Sequence, residues 1–197
     1  VTLIFIISAI TGVYKGIKIL SSLNTYIALA LLVIAFCVGP KVAILNNLTN
    51  SVGLHIQNLF GDLFMTNAFG DNSWVMNWRV FYYAWFVAWC PFVGMFIARI
   101  SKGRTVGEFI TGVVVVPTIF SIIWMAVFSG IALTTVQGWS IENVQQLVAS
   151  PETAVFIVFH EYPLAKVISL MIITLLAVFF ITSADSATYS LGVMTSN

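Results

Sequence analysis

The most unusual chemistry lies in Phe81 to Phe96, where eight of sixteen residues are aromatic. At 100° per residue, Trp78, Phe81, Tyr82, Trp85, Trp89, Phe92 and Phe96 fall within an arc of roughly 100°, so one helix face is almost wholly aromatic. Tyr83 and Phe86 lie further round, on a flank. Indole and phenol faces are electron-rich, and a quaternary ammonium group has no hydrogen-bond donor. Ring faces are therefore a favourable surface on which to desolvate it, at ~0.5–2 kcal/mol per ring. That chemistry suits betaine-like cations. A ring stripe at helical spacing is also an ordinary packing surface, and composition alone favours that plainer reading.

No competing chemistry is present in the sequence. There is no Ser/His/Asp, Cys/His, paired-carboxylate or phosphate-loop arrangement, so an enzyme has no residues to work with. Cys37 and Cys90 are far apart inside apolar runs and read as small core residues. His55 and His160 have no second ligand at metal spacing. The net charge of +1 leaves no basic field for nucleic acid.

The elements that position the aromatic face must sit in lipid. Of 197 residues, 60% are apolar and 8% charged, and the mean hydropathy is +1.03. A soluble domain carries about a quarter charged residues. The expected fold is therefore all-α, a polytopic transmembrane helical protein. Five spans of about the required length are read at 1–13, 25–45, 80–98, 109–136 and 164–181. Val1 to Val13 reads as the cut end of a helix, and Asn197 as a cut C-terminus. The whole of 1–197 is taken as one transmembrane unit. Gly39-Pro40-Lys41 interrupts the second span, and Pro117 lies within the fourth.

Interfacial belts put aromatics at the ends of a span, but in 80–98 they run through its middle. Pro91 frees a carbonyl near Val87 at that depth, which is tolerated only against protein or a water-lined cavity. Basic residues near span ends set the orientation. Lys15 and Lys18, read as a turn, and Arg99, Lys102 and Arg104 are placed in the cytoplasm; Lys41, Arg79 and Lys166 are scattered outside. Asn47 to Phe60 spaces Leu48, Val52, His55, Ile56, Leu59 and Phe60 as an amphipathic helix on the membrane surface. Ile141 to His160 reads similarly but less clearly, with a break at Ser150-Pro151.

Four stretches in order resemble the betaine/choline/carnitine transporter family: Gly12-Val-Tyr-Lys-Gly-Ile-Lys-Ile-Leu-Ser21, Asn77-Trp-Arg-Val-Phe-Tyr-Tyr-Ala-Trp-Phe86, Pro91 to Phe109, and Phe180-Ile-Thr-Ser-Ala-Asp-Ser186. The resemblance implies part of an inverted-repeat (LeuT-like) secondary transporter core of twelve helices, with the solute site between the repeats near mid-membrane. On that plan the chain runs from the end of the sixth helix through most of the tenth. The family's aromatic box and gates map onto Tyr83, Trp85, Phe86 and Trp89. The chain departs from the family's signature in three places: W-T reads Trp78-Arg79, and two Trp positions of W-x-W-W read Tyr83 and Phe86.

The resemblance also implies a sodium site built from the Phe179 carbonyl and the Thr182 and Ser183 hydroxyls, with a weaker second sodium position at Phe92. Without the resemblance, Thr182 and Ser183 read as hydroxyls bonded back to their own helix. Asp185 reads equally as a functional intramembrane carboxylate or as a solvated or capping one. The expected function is secondary transport of a small quaternary ammonium solute such as glycine betaine, choline or carnitine, by alternating access. Sodium is expected as the coupling ion and no other cofactor is expected; proton coupling and ion-independent exchange also occur in the family. The expected setting is multi-pass, in a bacterial-type plasma (inner) membrane, with the lipid bilayer as partner and a homo-oligomer compatible with the sequence. The rival is a structural membrane subunit whose aromatic helix only packs. A channel is weaker still, because a pore lined by Trp and Phe would dewet.

Overall fold

The computed structural model describes residues 13–195, and over that range the chain is helical with no strand. The helices are α1 (Val13–Val38), α2 (Lys41–Phe64), α3 (Phe81–Ile100), α4 (Val106–Ile110), α5 (Val116–Val136), α6 (Ile141–Ala149), α7 (Pro151–His160) and α8 (Ala165–Thr195). A π-helical turn at Val75–Val80 leads into α3, and another at Thr111–Val115 joins α4 to α5. The second stands just before Pro117, which cannot donate to an i→i−4 ladder; a wide turn there absorbs the missing bond.

Among the described residues, three helical stretches are long and apolar enough to cross a membrane: Lys18–Val38, Val106–Val136 and Ala165–Thr188. The protein is thus an all-α, polytopic integral membrane protein. The span read at 80–98 is helical as α3, Phe81–Ile100, with Pro91 inside it.

Several expected boundaries move. The expected span 1–13 lies outside the described residues, apart from Val13. The turn expected at Lys15 and Lys18 is helix instead; residues 14–24 hold no proline, and a lysine near a helix end can run its stem along lipid to the interface. The span read as 25–45 ends at Val38, and Lys41 to Leu45 begin α2. Gly39 explains the break: a Cβ there would lie 2.7 Å from Ile131 Cγ1 and 2.9 Å from the Ala35 carbonyl. Only glycine lets the chain pass that close, and Pro40 then prevents the helix from continuing. The span read as 164–181 continues to Thr195. The connector read as 47–60 lies within a longer helix, Lys41–Phe64. The break at Ser150-Pro151 falls between α6 and α7, with Ser140 capping the first through the Asn143 N–H.

The core gathers Leu31 and Ala35 of α1, Ile44 of α2, Val127 and Ile131 of α5, Val158 and Phe159 of α7, and Ile168 and Ile172 of α8. α8 packs along α1, and α2 along α5. The second contact has two causes. Gly130 lets Ile44 approach until a Cβ would be 3.0 Å from its Cα. Beside it, Asn47 Nδ2 donates to Ser129 Oγ at 2.8 Å and to the Ala126 carbonyl at 3.3 Å. Small residues and a polar clasp are what hold helices together where lipid is as apolar as leucine. Further along α2, Val52, Ile56 and Phe60 remain exposed.

Candidate functional site

The aromatic face of α3 forms a continuous ladder. Trp78 stacks on Tyr82, with ring centres 5.8 Å apart and planes 7° from parallel. Tyr82 meets Trp85 edge-to-face at 6.0 Å, and Trp85 meets Trp89 in the same way at 6.2 Å. The steps of three and four residues put each ring over the one a helical turn away, and helical side chains lean toward the preceding turn. Phe81 joins the side of Tyr82 at 5.6 Å, and Phe86 the side of Trp85 at 5.8 Å.

Of the box residues implied by the resemblance, the structure brings Trp85, Phe86 and Trp89 together. Tyr83 projects from the flank, 76% exposed, and makes no ring contact among the described residues. Tyr82 and Trp78 take its place in the ladder. Helical periodicity had put both on the aromatic face, whereas motif mapping passed over them. Of Phe92 only the backbone is described, so its role lies outside the described side chains.

A second aromatic chain in the same protein shows what a packing stripe looks like. Trp124 stacks on Phe128 at 4.5 Å, Phe128 meets Phe159 at 5.7 Å, and Phe159 lies 6.2 Å from Tyr162. There Phe159 is only 1% exposed, and the Tyr162 phenol is 3.0 Å from the Thr135 hydroxyl. Those rings are used up by the core. The α3 ladder differs: Trp85 and Trp89 are 48% and 39% exposed, so indole surface remains open to a ligand or another part of the protein.

The root of the ladder is fixed by Arg79 in the π-helical turn. Its Nη1 donates to the Asp62 carbonyl and, at 3.3 Å, to the Met65 carbonyl, at the end of α2. Its Cζ lies 5.4 Å from the centre of the Trp74 ring. The Asp62 carbonyl also accepts from the Met65 N–H at 3.4 Å, and one guanidinium nitrogen closes the helix end against both carbonyls. π turns of this kind recur at functional sites.

α8 packs against α3 and carries the implied ion residues. Thr182 Oγ1 donates to the Phe179 carbonyl at 3.0 Å, and the Thr182 carbonyl accepts from Ser186 Oγ at 2.8 Å. The hydroxyl is bonded back to its own helix, as the plainer reading expects. The same contact holds two oxygens close enough to share one hard cation if the hydroxyl turns its proton away. Ser183 is half-buried in the same turn. Asp185 is buried, and α8 runs ten residues beyond it to Thr195. Burial among packed helices corrects the solvated role considered for this carboxylate. Among the described residues, no group of three or more His, Cys, Asp or Glu could hold a metal ion.

Comparison with known proteins identifies the family of the chain. A model of the family described as "BCCT, betaine/carnitine/choline family transporter" matches residues 1–197. The glycine betaine transporter OpuD of Bacillus subtilis is 44% identical over 198 residues, covering 100% of this chain and 38% of its own length. The ectoine/hydroxyectoine transporter of Virgibacillus pantothenticus is 39% identical, covering 98% of this chain and 38% of its own. The ectoine/glycine betaine/proline transporter EctP of Corynebacterium glutamicum is 39% identical, covering 95% and 31%. The chain therefore spans about four-tenths or less of the length of these relatives.

Proposed function

Since the chain belongs to the betaine/carnitine/choline family of transporters, which are not enzymes, we propose that it is the solute-binding and ion-binding part of a secondary transporter for small methylated ammonium solutes of the glycine betaine, choline or carnitine type. The observation that carries this reading is the open ladder from Trp78 to Trp89, whose rings the core leaves unused. A trimethylammonium group placed on the faces of Trp85 and Trp89 would gain cation–π attraction from both, in a setting with little competing water. Phe86 adds a weaker ring at the side, and Tyr83 serves from the flank, where movement of the helix could bring it in. Relatives named for ectoine and proline extend the reading to compact zwitterions.

Sodium is the coupling ion in this proposal, held by the Phe179 carbonyl and the Thr182 and Ser183 hydroxyls, with ligands from outside this chain completing the shell. Contact between α3 and α8 supplies a route for coupling. Solute on one helix and ion on the other would bias the same rocking bundle between outward-facing and inward-facing states. The proposed setting is a bacterial-type plasma membrane.

The test is uptake of labelled glycine betaine and choline by cells expressing the full-length transporter. Trp89→Ala is expected to raise the KM at least ten-fold. Thr182→Ala is expected to raise the sodium requirement at saturating solute. Unchanged uptake in both variants overturns the site; sodium-independent uptake overturns the coupling alone.

A further inference from the structure

At the far end of α5 the chain turns at Trp139, whose N–H donates to the Val136 carbonyl at 3.0 Å. It then folds α6 against α7 about the Ser150-Pro151 break. Between these two helices lies a cavity of about 480 Å³, with walls that include Trp139, Asn143, Gln146, Thr153, Ile157 and Glu161. That volume lies within the usual range for small-molecule sites.

The local fold explains why these groups converge. Asn143 and Gln146 are one turn apart on α6, with Leu147 of the same helix packed against the core. Trp139 enters from the turn before α6, and Glu161 from the residue that ends α7. Thr153 Oγ1 is already donated to the Ser150 carbonyl at 3.1 Å. The side chains of Asn143, Gln146 and Glu161 make no hydrogen bond among the described residues, so their polar atoms remain available.

Location narrows the ligand. Residues 106–136 rise about 45 Å at 1.5 Å per residue, enough to place this cavity and the Lys102–Arg104 loop on opposite membrane faces. Basic loops are cytoplasmic, so the cavity faces outward. Residues 137–166 contain Glu142, Glu152 and Glu161 against one cation, Lys166, a net negative stretch that draws cations to this mouth. An indole wall suits a large, weakly hydrated cation and not sodium, which prefers a close shell of oxygens.

We propose that the cavity between α6 and α7 is a peripheral binding site for a methylated ammonium group, separate from the α3 ladder. It holds solute at the outer mouth before passage inward. Trp139 presents its ring face to the methyl groups and Glu161 balances the charge. Asn143 and Gln146 donate N–H groups to the oxygen end of a zwitterion or to the hydroxyl of choline. The class of solute rests on the function proposed above, whereas the geometry of the cavity does not.

The test is equilibrium binding of radiolabelled choline and glycine betaine to the full-length transporter in nanodiscs, titrated to millimolar solute. Two classes of site per chain are expected. Trp139→Ala and Glu161→Gln should each weaken one class at least ten-fold, Trp139→Phe about three-fold, and Trp85→Ala/Trp89→Ala should remove the other. Tetramethylammonium should displace the peripheral class, and sodium should not. Two classes unchanged in Glu161→Gln and Trp139→Phe, or displacement by sodium alone, overturn the peripheral site and leave the ladder standing. A single class that survives Trp85→Ala/Trp89→Ala but is lost in Glu161→Gln supports the peripheral site and overturns the ladder.

Discussion

The guanidinium of Arg79 is anchored on the carbonyl of Asp62, joining the end of α2 to the turn from which the aromatic helix rises. The bond spans 17 residues and is reinforced by the Met65 carbonyl and the Trp74 ring. Arg79→Gln is expected to destabilise the protein by about 1 kcal/mol, the scale of an exposed charge-assisted hydrogen bond with a weak cation–π contact. Arg79→Lys, which keeps the charge but not the fork, should fall between. Thermal unfolding of the purified transporter in detergent checks this, and equal midpoints for all three proteins would refute it.

Gly130 permits a close approach between α2 and α5. Gly130→Val would drive a branched side chain into the backbone of Ile44, from which even a Cβ is only 3.0 Å away. The expected cost is about 1–3 kcal/mol. Gly112, with nothing within 4 Å of its Cβ position, is the control. Gly112→Val should change the unfolding midpoint much less, and a larger loss there than at Gly130 would contradict the packing described.

Asn47 and Ser129 hold the same interface by a side-chain hydrogen bond of 2.8 Å. A double-mutant cycle with Asn47→Ala and Ser129→Ala should return a coupling of about 0.6–1 kcal/mol, the usual scale for polar pairs between membrane helices. Strict additivity would show that the pair does not act as a unit.

Acid should loosen the loop before α3. The Ser73 backbone N–H donates to Asp71 Oδ1 at 2.9 Å and, with the Ser73 hydroxyl, holds that carboxyl below its ordinary value of 3.8. A depressed folded-state pKa means the contribution is complete above 3.8 and is lost as the pH falls through the lower folded value. Hydrogen exchange at the Ser73 amide, corrected for its intrinsic rate, should therefore show constant protection down to about pH 4 and reduced protection below. Asp71→Asn should flatten that profile; an unchanged profile in the variant would rule out the carboxylate as its cause.

Much of the fold could be read from composition because lipid imposes a demand that any sequence must meet openly. A span must be apolar along its length, and every backbone group must be satisfied within it. For the same reason the break at Gly39-Pro40 was visible, as was the one at Ser150-Pro151. The Lys15–Lys18 segment misled because clustered lysines mark a loop in most membrane proteins, yet a long flexible stem lets lysine remain on a helix. Pro117 marks the π turn at Thr111–Val115 locally, whereas nothing in the local sequence marks the one at Val75–Val80. Asn47 and Ser129, 82 residues apart, could not be paired by any local rule.

At the candidate site, helical periodicity accounts for the ladder. It placed Trp78, Tyr82, Trp85 and Trp89 on one face, and those rings form the ladder. Tyr83 came from motif position and stands apart, since a neighbour in sequence is turned 100° away on a helix. Thus the sequence alone determined that this is a membrane-embedded helical protein with an aromatic helix face, because hydropathy and helical periodicity are set residue by residue; its likeness to the betaine/carnitine/choline family came from four ordered motifs. Only the tertiary structure decided which rings the core consumes and which stay open, where Arg79 ties two helices together, and that α6 and α7 enclose a cavity between Trp139 and Glu161. Each of these depends on contacts between distant residues, and the energy of a contact belongs to neither partner alone.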